Sequence, residues 1–155
     1  MGMFDAMEVS ASGLTAERMR MDVVAQNLAN ANTTRGVDGQ PYRRKEVVLA
    51  ERQADGSFGA ALAGAMNTKT TSSSGTSGAP AGVEVAAIAE DQTPLKQVYD
   101  PSHPDADANG YVEMPNVDSV AEMVDLISAQ RAYEANVTAM QAAKQMFSKT
   151  LELLR

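Results

Sequence analysis

The apolar positions of this chain gather into two long stripes, one at each end. Met7, Leu14, Met21 and Leu28 recur every seven residues, and Val137, Met140, Phe147, Leu151 and Leu154 follow a three-four spacing. A seven-residue repeat keeps one side of an α-helix apolar, and such a stripe is stable only against another stripe. Two of them at opposite termini can serve each other. The expected fold is therefore mainly α, with N- and C-terminal helices packed as a coiled-coil-like bundle and a small irregular or β insertion between them.

The first helix is expected over residues 4–32, with Asp5 and Glu8 favouring its start and Asn30, Asn32 and Gly36 supplying the stop. Within it, the run Ser10-Ala11-Ser12-Gly13 leaves room for another backbone to approach closely. A strand is expected from Tyr42 to Leu49, with a turn at Asp55-Gly56. Residues 59–82 thin out into Ala, Gly, Ser and Thr, a flexible linker or surface loop with too little apolar area to offset the entropy of ordering. Short strands resume at Val83–Ala89 and Leu95–Tyr99, and a turn-rich passage ends at Pro115.

The second helix begins at Asn116 or Asp118, with Ser119 and Glu122 matching a capping box as an alternative, and runs to about Leu154. Val117, Val120, Val124 and Ile127 form one stretch of its stripe. The register then shifts near Gln130, and Lys144 takes an apolar position. That pattern suits a wall of several helices better than an isolated two-stranded coil. The chain divides into an N-terminal helix (1–35), a middle segment (36–115) and a C-terminal helix (116–155).

Composition sharpens the need for partners. Of the 155 residues, 44% are hydrophobic, but 26 are Ala, and there are only three Phe, four Tyr and no Trp. Alanine favours helix while removing little apolar surface from water, so a lone globule is thinly packed and association supplies the missing burial. The net charge of −7 argues against nucleic acid, and the one basic cluster, Arg43-Arg44-Lys45, reads as a solvated strand or loop. Cysteine is absent, which excludes disulfides and thiol chemistry. The opening residues lack the basic start and apolar run of a secretory signal, and no stretch approaches a membrane span, so no direct membrane insertion is expected.

Candidate chemistry is sparse. Asp105, Asp107, Asn109 and Gly110 match the first half of a calcium-binding loop, making a calcium module over 105–113 a competing reading. The match breaks at the twelfth position, which is Asn116 where a bidentate Glu belongs. The plain alternative is a tight turn held by local side-chain hydrogen bonds. His103, the only histidine, has no second imidazole to work with, and no phosphate-binding glycine loop follows a strand. No enzyme activity and no cofactor are expected. Asn27, Asn30, Asn32 and Asn136 lie on or beside the apolar stripes, where an amide can fix register or simply end a helix.

Two segments carry a family resemblance. S-G-L-T-A-E-R-M-R-M-D-V-V-A-Q-N-L-A-N-A-N-T-T (12–34) resembles the N-terminal motif of the flagellar axial family of rod, hook and hook-associated proteins. M-V-D-L-I-S-A-Q-R-A-Y-E-A-N-V-T-A-M (123–140) resembles its C-terminal partner. P-Y-R-R-K-E-V-V (41–48) and V-Y-D-P-S-H-P-D-A-D-A-N-G-Y-V-E-M-P-N-V-D (98–118) narrow the likeness to the basal-body rod branch, nearest its C-type proximal members, with another axial rod component as the alternative.

The resemblance implies a structural subunit exported by the flagellar type III apparatus without a cleaved signal. It implies assembly with other rod subunits and with copies of itself into a hollow periplasmic tube that transmits torque. By position, Leu14, Met21, Leu28, Val124, Ile127, Val137, Met140, Phe147 and Leu151 are expected in the helical seam. Asn27, Asn30, Arg131, Tyr133 and Asn136, which occupy the family motifs, are expected as polar register contacts.

Overall fold

A computed structural model describes residues 3–36, 39–52 and 82–153. The turn expected at Asp55-Gly56, the linker over 59–82 except Gly82, and Leu154 lie outside the described residues. Two helices dominate: α1 (Met3–Ala29) and α2 (Ser119–Leu153). At about 1.5 Å per residue they extend roughly 40 and 52 Å.

α1 stops three residues before the expected boundary. Asn30 ends it: its Nδ2 donates back to the Gln26 carbonyl at 2.8 Å, and its own carbonyl accepts the Thr33 N–H at 3.0 Å. A side chain that bonds its own preceding turn offers the backbone an alternative to continuing the helix. At the start of α2, Asp118 is the cap, its Oδ1 accepting the Val120 N–H at 3.0 Å. The Ser119/Glu122 capping box does not form, because the Glu122 carboxylate turns inward to Asn27 and Arg44.

The helices run antiparallel. Asn27 meets Glu122 near one end, and Gly13 faces Asn136 fourteen residues further along each helix. On α2, the positions turned from solvent include Glu122, Leu126, Ala129, Tyr133, Asn136, Met140 and Ala143, alternating steps of four and three. On α1, Gly13, Ala16, Arg20, Val23 and Asn27 follow the same steps. The fully buried members are mostly small: Ala16, Val23, Ala129 and Ala143. The stripe of Val120, Val124 and Ile127 does not pack on α1. These residues lie on the opposite side of α2, with Val124 61% and Ile127 52% exposed. The register shift near Gln130 arises because the N-terminal half of α2 carries two apolar sides, only one of which α1 covers.

The middle segment contributes two antiparallel strand pairs. β1 (Lys45–Glu51) pairs with β2 (Val83–Glu90), Lys45 opposite Glu90 and Glu51 opposite Val83, with an irregularity between Val48 and Leu49. Regular pairing begins three residues later than expected at Tyr42, since Tyr42 points its hydroxyl into the helix pair. β3 (Lys96–Tyr99) pairs with β4 (Tyr111–Met114). β4 sits in what the sequence suggests is only turn. Gly110, at φ 80°, reverses the chain there, and Tyr99 and Tyr111 meet edge-to-face with ring centres 5.3 Å apart.

Among the described residues both strand pairs are two strands wide, which is marginal without support. The β1–β2 pair finds that support on α1. The Val83 N–H donates to Ser12 Oγ at 3.1 Å, and Gly82, at φ 114°, lies directly against the Ser12 side chain. The small-residue run does admit another backbone at Ser12, and at Gly13 it admits a side chain: a Cβ there would sit 2.8 Å from Asn136 Nδ2.

Candidate functional site

A polar cluster joins α1, β1 and the start of α2. At its centre is Asn27, 1% exposed, with every hydrogen-bonding position of its amide filled. Nδ2 donates to the Lys45 carbonyl at 2.8 Å and to Glu122 Oε2 at 3.0 Å. Oδ1 accepts the Lys45 N–H at 2.9 Å and the Tyr42 hydroxyl at 2.9 Å. Asn27 thus acts as a strand partner for β1 while bonding α2. A buried amide satisfied on both ends costs little to bury and is expensive to misplace.

Glu122 is equally enclosed, at 1% exposure, and its second oxygen accepts Arg44 Nε at 2.6 Å. That bond raises the Arg44 pKa further above its ordinary value, against the opposing effect of partial burial. The guanidinium also reaches Asp125 at 3.4 Å and Asp91 at 4.0 Å. The Arg44 backbone is tied down as well: its N–H donates to Asn116 Oδ1 at 2.8 Å, and its carbonyl accepts the Asp91 N–H at 2.8 Å. Burial, then the charges of Glu122 and Glu90, push the Tyr42 phenol above its usual range. Thr93 donates to Asp91 and holds that carboxyl below the usual carboxylate range.

The sequence-expected interface residues fall into three sets. Asn27 is committed inside the chain. Leu14, Met21, Leu28, Asn30, Tyr133, Asn136, Val137 and Met140 are half-buried. Val124, Ile127, Arg131, Phe147 and Leu151 are exposed. Met123 and Val120 are exposed beside Val124 and Ile127, so α2 presents a contiguous apolar band on the side away from α1.

Local sequence does not reveal the parts that Arg44 and Glu122 play in this cluster. The Arg43-Arg44-Lys45 triplet reads as a solvated run, and Glu122 as a capping residue. One signal was present: Glu122 begins the four-three series that continues through Leu126, Ala129 and Tyr133. In the candidate calcium loop, Asp105 accepts Thr34 Oγ1 at 2.9 Å and pairs with Arg35 at 3.5 Å. Gly110 N–H donates to the Asp107 carbonyl at 2.8 Å. Among the described residues this segment is a hydrogen-bonded turn fastened to the stretch that follows α1.

Two family models match the two ends of the chain, and relatives match it along nearly its whole length. The family model for flagella basal body rod proteins matches residues 7–35, and that for the C-terminal region of flagellar basal body rod FlgEFG proteins matches residues 108–153. The chain is 50% identical over 154 residues to flagellar basal-body rod protein FlgC of Bacillus subtilis, covering 97% of both chains. It is 44% identical over 160 residues to FlgC of Borreliella burgdorferi, covering 100% of this chain and 99% of the relative. To FlgC of Salmonella typhimurium it is 42% identical over 153 residues, covering 99% and 98%.

Proposed function

The chain belongs to the flagellar basal-body rod proteins of the FlgC type, and we propose that it serves there as a structural subunit of the proximal rod. Its terminal helices polymerise with other rod components and with copies of itself into the hollow shaft that carries torque from motor to hook. The observation that carries this reading is the exposed band of Val120, Met123, Val124 and Ile127 on α2. One side of α2 is used inside the chain, and the other is left for a neighbour. Head-to-tail contacts that do not close on themselves generate helical tubes.

In this reading α1 and α2 form a coiled-coil-like stave, supported by the four-three spacing of the enclosed positions. Residues 1–35 and 116–155 are the assembly segments, and 36–115 is the portion presented to neighbours. The half-buried and exposed members of the expected seam, from Leu14 to Leu151, complete the contacts between subunits. Asn27 contributes indirectly, by holding α1 and α2 together. The subunit reaches the periplasmic rod through the type III apparatus without a cleaved signal. Thin internal packing suits passage through a narrow channel, since little apolar surface must be exposed to unfold it.

The test is a strain carrying Val124→Asp or Ile127→Asp. Both variants express normally, fold with wild-type stability as monomers, and fail to complete the rod, abolishing swimming. Normal motility in both would remove the outward band from the assembly.

A further inference from the structure

The fully buried apolar contacts between α1 and α2 are made by small residues, which discriminate weakly between alignments one heptad apart. Gly13 now faces Asn136, but one heptad either way along α2 lies Ala129 or Ala143, both buried and both small enough to face a glycine. On α1, Ala16 and Val23 are also small, and the larger side chains of the series, Arg20 on α1 and Leu126, Tyr133 and Met140 on α2, are only half-buried. Small residues repeating every seven positions make the apolar contacts of neighbouring registers close in free energy. The buried polar contacts are the sharpest discriminator between them.

We infer that the Asn27–Glu122–Arg44 cluster is a register lock, which selects one alignment of the two helices from several that the apolar seam tolerates. Three observations carry the inference. Asn27 and Glu122 are each 1% exposed, so neither can turn to water if its partner moves away. Asn27 bonds Lys45 twice and Glu122 bonds Arg44, so β1 is held by both helices at once and cannot follow one that slips. The Arg44 backbone is fixed to Asn116, just ahead of α2, which sets the height at which α2 starts. A slip of one heptad leaves a carboxylate and an amide enclosed with the wrong neighbours, and that penalty exceeds any difference in alanine packing. The lock also couples the middle segment to the helix pair. β1 is correctly placed only when the helices are in register.

Because the chain lacks cysteine, engineered cysteine pairs report register directly. Three full-length proteins are compared under dilute oxidising conditions: Gly13→Cys with Asn136→Cys, with Ala129→Cys, or with Ala143→Cys. Intramolecular disulfides are scored by peptide mapping. With the lock intact, only the 13–136 pair closes efficiently. When Asn27→Leu and Glu122→Leu are added, disulfide from the 129 or the 143 pair rises by about tenfold, the change expected when one buried polar discrimination is removed. Glu122→Gln, which keeps an acceptor for the Asn27 amide, leaves the 13–136 preference in place. Exclusive 13–136 closure in the double leucine background overturns the inference. If that background loses its helical circular dichroism, Asn27→Ala decides in the same assay. A rise in either slipped disulfide supports the lock, and no rise refutes it.

Discussion

Arg44 and Glu122 lie 78 residues apart in sequence and meet at 2.6 Å, in the space where the first strand passes the start of the second helix. The two are not equally enclosed. Arg44 keeps an edge in water and two further carboxylates within reach, whereas Glu122 has, among the described residues, Asn27 and Arg44 as its hydrogen-bond partners.

That asymmetry makes the two halves of the pair unequal under mutation. Arg44→Ala leaves an enclosed carboxylate without its cation and is expected to destabilise the monomer by about 3–5 kcal/mol. Glu122→Gln retains the amide contact and removes the buried charge, so its cost should be about 1–2 kcal/mol. Urea denaturation followed by circular dichroism measures both. Equal losses would mean that Glu122 is not the more enclosed partner in solution.

Gly82 combines a positive φ with direct contact against Ser12. Gly82→Ala adds a methyl where both the backbone conformation and the space oppose it. It should destabilise by about 1–3 kcal/mol, and hydrogen exchange at the Val83 amide should accelerate as β2 leaves α1. Gly39, also at positive φ but with open space around it, should tolerate alanine better. The comparison separates backbone strain from the loss of close approach.

At the head of α2, Asp118→Ala removes the side-chain acceptor for the Val120 N–H and should cost about 1 kcal/mol, with Asp118→Asn nearly silent. Ser119→Ala should have almost no effect, because no capping box forms. A larger loss at Ser119 than at Asp118 would reassign the cap.

Stability should fall at both ends of the pH scale for separate reasons. The Tyr42 pKa is raised by burial, so its stabilising contribution is complete below the ordinary tyrosine value of about 10 and is lost as pH climbs through the higher folded value. The pKa values of Asp91 and Asp100 are lowered by hydrogen bonds from Thr93 and Ser102. Their contributions hold above the ordinary aspartate value of about 3.9 and fade as pH drops towards the folded values. Tyr42→Phe should flatten the alkaline limb of a denaturation midpoint against pH and leave the acid limb unchanged. An alkaline limb that persists in this variant would rule out Tyr42 as its source.

Much of this arrangement is written in the chain itself. The seven-residue repeat of α1, the stop at Asn30, and the tolerance for close approach at Ser12 and Gly13 all follow from local chemistry. Side-chain spacing, capping and glycine freedom act over a few residues, so they are readable in order. Leu14, Met21 and Leu28 are where such reasoning stops short: their repeat correctly marks a helix, yet they are only half-buried, flanking a seam built from smaller residues.

Tertiary structure alone decided which of α2's two apolar sides turns inward, giving Ala129 and Ala143 to α1 and leaving Val124 and Ile127 outside. It also decided that one arginine of a basic triplet would meet a carboxylate in the interior, and that Tyr111–Met114 would pair with Lys96–Tyr99. The physical reason is common to all three. Each depends on a partner beyond the reach of local structure, and no local preference records where a distant carboxylate or a second strand will be when the chain closes.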